Sequence, residues 1–157
     1  MLFRSVRDDH NKVTLEEDLC NLAIENIFTV LSNITKNNFG LSKQNNEASS
    51  YCKKIIKQDS LVNFGMSSEE IYNKFRAYYE WPGIAFEHKQ TIVKIKGMYT
   101  LDKNNTFLDD EIFKFDKSLL FAKTADKTIV ITHLQFPNKN IISSSDAFNS
   151  YKEFFIK

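Results

Sequence analysis

Apolar positions recur at helical spacing early in the chain, at Leu15, Leu19, Leu22, Ile27, Val30, Leu31 and Ile34, which predicts one amphipathic helix over residues 14–36. Thr14 followed three residues later by Glu17 has the spacing of a capping box and sets its expected start. From Asn37 to Gln58 the pattern turns polar, with Asn37-Asn38, Gly40, Asn45-Asn46 and Ser49-Ser50 between short apolar clusters. That composition predicts a linker, with a helical turn near Lys53 to Lys57. Ser67 and Glu70 repeat the capping-box spacing, and the stripe Ile71, Phe75, Tyr78, Tyr79 predicts a second helix over 67–79 that stops at Trp81-Pro82-Gly83.

Beyond that stop the period changes from helical to two. Val93, Ile95, Gly97, Tyr99 and Leu101 fall on one face and Lys94, Lys96, Met98 and Thr100 on the other, a strand with a bulge at Gly97. Further β-rich runs follow at 84–88, 111–115, 119–124 and 128–135, separated by turn-forming stretches at Asn104-Asn105, Asp116-Lys117 and Asp126-Lys127. Short strands in such succession predict a small barrel or strongly curled sheet. A last helix from Ser144, with Phe148, Tyr151 and Phe155 on one face, closes its open end.

With 157 residues, 42% of them hydrophobic, the chain has enough apolar material for one domain-sized core. Its 21 Lys+Arg nearly balance 20 Asp+Glu, so a nucleic-acid site has to be a local patch. Residues 1–36 carry 4 basic and 6 acidic groups, and 37–157 carry 17 and 14. Lysines outnumber arginines 18 to 3, which singles out Arg76. The absence of long apolar runs and of a signal-type leader makes a soluble, cytoplasmic protein without membrane contact the expectation. Cys20 and Cys52 have no CxxC or paired-histidine context, so neither a disulfide framework nor a metal site is expected, and Cys20 is expected to be a buried helix thiol.

Four glycines, none clustered, exclude a phosphate-cradling loop. His10, His88 and His133 sit in unrelated segments and are read as chance polar positions. The pairs Asp8-Asp9, Glu16-Glu17 and Asp109-Asp110 are adjacent residues pointing in different directions, unsuited to acid and base work on one substrate. No catalytic residue is expected.

Residues 70–83, EIYNKFRAYYEWPG, resemble the entry to the C-terminal domain of the methionyl-tRNA formyltransferase family, with an arginine, an aromatic and Trp-Pro-Gly in order. Upstream, SKQNNEASSYCKKI from Ser42 to Ile55, including Lys43 and Gln44, is similar to the family's linker, and Asn63-Phe64 falls where the family has an acidic or amide residue before tryptophan. Downstream, Leu134-Gln135, Lys139 and DAFNSYKEFF from Asp146 to Phe155 resemble its last strand, basic turn and closing helix. The opening MLFRSVRDD resembles the end of the family's catalytic domain. Three positions depart: Glu80 stands for a proline, Asn138 for a glycine and Asp109-Asp110 for a Pro-Gly turn.

The resemblance implies an α+β, mainly β chain: a small OB-like β-barrel preceded by a helix and linker and closed by a C-terminal helix. Residues 1–36 would be a helical remnant of the end of a catalytic domain, 37–66 a linker and 67–157 the OB-like domain. It implies binding of initiator methionyl-tRNA in translation initiation. The tRNA-binding candidates are Arg76, Lys139, Lys43, Lys53 and Lys54, with Lys57 beside them. 10-formyltetrahydrofolate is the donor for the full family enzyme, and this chain itself holds no cofactor. The family's catalytic asparagine, histidine and aspartate have no match, so the chain alone is expected to be inactive and to need a separate catalytic-domain chain. The corresponding region of a sugar-nucleotide formyltransferase and a non-catalytic interaction domain or inactive remnant are the alternatives. Arg76 suits a phosphate through its planar fork, or a carboxylate such as Glu80 in a structural cap. Trp81 and Pro82 fit a hydrophobic plug and helix stop, with a base-stacking platform as the other reading.

Overall fold

The computed structural model describes residues 5–38, 40, 43, 45–102, 107–108 and 111–156. Residues 1–4, Ser42, Gln44, the expected turn at Asn104-Asn105 and the pair Asp109-Asp110 lie outside the described residues. The chain divides into two compact units, Met1–Ile55 and Ile56–Lys157.

In the first unit, α1 spans Lys12–Thr35. Its N-cap is Asn11, whose side chain accepts from the Val13 and Thr14 amides at 2.9 and 3.1 Å, while Thr14 Oγ1 accepts from the Asn11 amide at 3.0 Å. The capping box therefore lies one turn before the expected Thr14–Glu17 pair. Its position is fixed by the preceding turn, where buried His10 accepts from the Arg7 amide through Nδ1 at 3.1 Å and donates through Nε2 to Asp18 at 3.2 Å. His10 is thus a structural anchor and not a chance polar position. No residue of α1 is buried, and Cys20, expected to be buried, is exposed. A 3-10 turn, Asn46–Ala48, follows, capped by Asn45.

The second unit opens with a 3-10 turn at Lys57–Ser60, so the helical turn begins where the expected one at 53–57 was to end. Helix α2, Ser68–Ala77, has the full capping box: the Ser67 amide donates to Glu70 Oε2 at 2.9 Å and the Glu70 amide to Ser67 Oγ at 3.1 Å. Asp126, from the turn between two strands, adds a long-range cap by accepting from the Ser68 amide at 2.7 Å. Three carboxylates at helix starts, including Asp146 in the box with Ser143, are held below their ordinary values. For Asp126 the Ser68 amide is the main cause, for Glu70 the Ser67 amide, and for Asp146 the Ser143 hydroxyl.

Six strands form one antiparallel sheet: β1 Ile84–His88, β2 Thr91–Leu101, β3 Phe113–Asp116, β4 Leu119–Lys123, β5 Thr128–Gln135 and β6 Ile141–Ser143. Their order is β1-β2-β5-β4-β3, with β6 also on β5. Phe86 of β1 and Phe113 of β3, from opposite ends of that order, bring their rings to 5.3 Å, so the sheet curls into the expected barrel-like form. Phe64 fills the seam edge-on to both, at 5.2 and 5.0 Å. Helix α3, Ser144–Phe155, packs across β3 to β6 and inserts Ala147 and Phe155 into the core, as expected of the closing helix.

The bulge at Gly97 is present, but it changes the faces after it. Ile95 pairs with Leu134, Gly97 with His133 and Met98 with Ile131, an extra residue first on β2 and then on β5. Met98 consequently turns inward and Tyr99 outward, the reverse of the strict alternation expected. Glycine is required because a Cβ at 97 would stand 2.5 Å from Thr132 Oγ1. Buried Ser144 Oγ donates at 2.9 Å to the carbonyl of Ile131, and it lies 3.1 Å from that of Thr132, which ties α3 to the irregular part of β5. His88 also has a packing role: Nε2 donates to the Phe154 carbonyl at 2.8 Å inside a cage of Phe113, Phe154 and Phe155. Burial pushes its pKa down.

Candidate nucleic-acid interface

Arg76 sits in the last turn of α2, whose Ile71 is sealed in the core and whose Phe75, with the C-capping Tyr78, packs against it. Its Nη2 donates to Asn73 Oδ1 at 2.7 Å and its guanidinium carbon lies 5.4 Å from the centre of the Tyr72 ring. These contacts orient a half-buried guanidinium along the helix surface. Lys74, on the same helix, donates to the Asp59 carbonyl at 3.3 Å and so ties α2 to the preceding turn.

From α2 the packing leads to β2. A shallow cleft between them is lined by Phe75, Tyr79, Glu80, Gly83, Ile95 and Lys96. Lys94, exposed on the outer face, pairs across the ladder with Gln135. Gln135 Nε2 in turn donates to the Lys139 carbonyl at 2.9 Å, fixing the turn between β5 and β6 on which the exposed Lys139 stands. Strand β2 carries Lys94 and Lys96 and no carboxylate. Arg76 thus stands on a helix, Lys94 and Lys96 on a strand of the ladder and Lys139 on a latched turn.

Lys43, Lys53 and Lys54 belong to the first unit, and all three are exposed. Lys53 and Lys54 lie in non-helical chain just before the Lys57–Ser60 turn, on which Lys57 is also exposed. The pairing of Lys94 with Gln135 was not foreseeable without the register. The sequence signal for Lys94 and Lys96 was their position opposite the core pattern. Trp81 departs from the plug expected of it, since the residue is 54% exposed. His133 is exposed on β5, opposite Gly97. Among the described residues no group of three or more metal-ligating side chains comes together, and no helix is long and apolar enough to cross a membrane.

Residues 54–152, covering the α2-to-α3 region just described, match the family described as formyl transferase, C-terminal domain. The chain belongs to that family. Among curated relatives, the methionyl-tRNA formyltransferase of Sulfurihydrogenibium sp. (strain YO3AOP1) is 30% identical over 148 residues, covering 94% of this chain and 48% of that protein. The methionyl-tRNA formyltransferase of Finegoldia magna is 32% identical over 142 residues, covering 88% and 46%. The chain thus spans about half the length of the curated relatives it matches, in their C-terminal portion. Variants of HypX from Aquifex aeolicus have the same fold, with TM-scores of 0.65 and 0.67 at 15% and 14% identity, covering 92% and 100% of this chain but 27% and 28% of theirs.

Two departures from the formyl transferase C-terminal pattern acquire a physical account. Asn138, in place of a glycine before Lys139, has φ 57°, a conformation asparagine tolerates better than most residues. Glu80, in place of a proline, has φ 67°, which a proline ring cannot adopt. The turn before Trp81 therefore differs in shape from one built on proline.

Proposed function

We propose that this chain is the tRNA-binding C-terminal part of a methionyl-tRNA formyltransferase, acting in formylation of initiator methionyl-tRNA in the cytoplasm. The observation that carries this reading is the 30% identity to a methionyl-tRNA formyltransferase over 94% of the chain. In this reading residues 1–36 end a catalytic domain, 37–66 join it to the barrel, with Val62 and Phe64 of that stretch already packed into the barrel core, and 67–157 complete the RNA-binding domain. The apolar stripe of α1 would pack on that catalytic domain. Formyl transfer from 10-formyltetrahydrofolate belongs to the catalytic half, and these residues supply grip and orientation.

Arg76 and Lys139 would bind phosphates from the barrel, and Lys43, Lys53 and Lys54 would follow the RNA backbone from the linker. The planar guanidinium offers two parallel donors to a phosphate, whereas each lysine offers a compact charge. Such contacts position the substrate without reading its sequence, and their strength falls as salt rises.

The test is an electrophoretic mobility shift with initiator tRNA and the purified chain over a salt series, beside a formyl-transfer assay. The reading expects a complex at low salt that is lost steeply as salt rises, and no formyl transfer by the chain alone. Absence of a complex even at low salt would remove the tRNA role, and measurable transfer would contradict the assignment of chemistry to the other half.

A further inference from the structure

Trp81 is the chain's one tryptophan, and more than half of its surface is open to solvent. The backbone carrying it is tied down: the Trp81 amide donates to the Tyr79 carbonyl and the Gly83 amide to the Tyr78 carbonyl, both at 2.9 Å. The exposed ring therefore stands on a braced turn at the end of α2. Tyr79 beside it is 37% exposed and is held edge-on by Phe75, with ring centres 6.0 Å apart.

The surroundings of this turn are charged. Glu80 and Gly83, which flank Trp81-Pro82, line the cleft that also holds Lys96, and Arg76 lies on the helical turn before Tyr79. A protein-binding hot spot concentrates apolar residues around its aromatic anchor and excludes charge from the centre. An exposed aromatic face on the turn that follows Arg76 and borders the cleft holding Lys96, with Glu80 as the one acidic group of that turn, instead offers a flat base a stacking surface and its phosphates two cations.

We propose that Trp81 is a stacking platform for an unpaired nucleobase of RNA, flanked by Tyr79, with Lys96 and Arg76 at the adjoining phosphates. This rests on the RNA-binding reading above and adds a base contact to it. Only an unpaired base presents a face to the indole, since bases within a duplex are stacked on each other. The platform therefore distinguishes single-stranded from double-stranded segments of the same RNA, which phosphate contacts alone do not.

The single tryptophan makes the full-length chain its own reporter. Its fluorescence is followed during titration with an oligoadenylate of about 12 nucleotides and with the same strand paired to its oligouridylate complement. The oligoadenylate is expected to quench the emission and the duplex to leave it nearly unchanged. Trp81→Ala should weaken oligoadenylate binding about tenfold while duplex affinity, salt dependence and the thermal melt stay the same. Trp81→Phe should keep most of the affinity, and with the quenching result it carries the test if the alanine variant folds poorly. Unchanged oligoadenylate affinity in Trp81→Ala, with tRNA still bound and still salt-sensitive, would overturn the platform and leave the tRNA reading standing. No RNA binding by the unaltered chain at low salt would overturn both. An effect of Trp81→Ala on self-association alone, seen by light scattering, would assign the ring to a protein contact and overturn the proposal.

Discussion

The 24 residues of α1 include none that is buried, whereas the ten of α2 include Ile71 at 0% exposure and a whole face set against the barrel core. Both helices announce themselves by the same spacing of apolar positions. On α1 most of those positions are open: Leu19, Ile27, Val30, Leu31 and Ile34 have 41% or more of their surface exposed, Leu15 and Leu22 are half-buried, and Ile24 and Phe28, outside the stripe, reach 68% and 81%. Periodicity thus identifies a helix and the face that wants a partner, but not whether the partner lies within the chain.

The largest expected difference is between core truncations in the two regions. Ile71→Ala should cost about 3 kcal/mol of unfolding free energy, because the side chain is sealed and its cavity cannot fill. Ile24→Ala, at 68% exposure, should stay within about 0.5 kcal/mol and should reduce any self-association of the chain. Denaturant unfolding with light scattering measures both. Equal losses would mean that the apolar surface of α1 is buried in solution, which would break the contrast.

A smaller effect is expected at the bulge of the barrel. Gly97→Ala should destabilise by about 2 kcal/mol, since a Cβ there meets Thr132 Oγ1 at 2.5 Å and His133 Nδ1 at 3.1 Å. Gly40, in the first unit, meets nothing within 4 Å, and Gly40→Ala should leave the melt unchanged. A tolerated Gly97→Ala would mean that the two strands separate at the bulge in solution.

The sequence carried the fold wherever a pattern ran long enough to repeat. The 8 residues of β5 and the capped start of α2 were legible; β6, with 3 residues, offers no period to read. The phase change after Gly97 escaped because alternation is counted along one strand, while the second irregularity sits on β5. The start of α1 was misplaced because Asn11 and Thr14 cap one another and Thr14 with Glu17 happens to copy the spacing. In the candidate interface, Arg76 and Lys139 came from motifs that resemble the family. The latch from Gln135 to Lys139 needed the folded turn, and the exposure of Trp81 reversed the plug its neighbours Pro82 and Gly83 had suggested.

Acidity should weaken the barrel in two stages, the first of them due to a histidine. His88 is held below its ordinary 6.5 by burial, so the unfolded chain takes up that proton first and stability falls as pH drops through 6.5. Asp126, Glu70 and Asp146 are also held low. Their contributions are present above the ordinary 3.8 for the aspartates and 4.5 for the glutamate, and are lost as pH falls through those values toward the folded ones. All four lie in the barrel unit, while in the first unit Asp9 is likewise held low, chiefly by the hydrogen bond from Arg7. Melts from pH 7 to 3 should therefore show a shallow decline first and a steeper one below 4.5. His88→Phe should flatten the first part and leave the second, and an unaltered first part would remove His88 as its cause.

If, as proposed, the barrel holds tRNA by phosphate contacts through Arg76, the decisive measurement is the salt dependence of initiator tRNA binding by the chain and by Arg76→Ala. Expected are lower affinity for the variant, a log–log slope shallower by about 0.7 to 0.9 for the lost contact, and an unchanged thermal melt. An unchanged slope with a lowered melting temperature would contradict it, showing that Arg76 serves only to brace α2 through Asn73 and Tyr72.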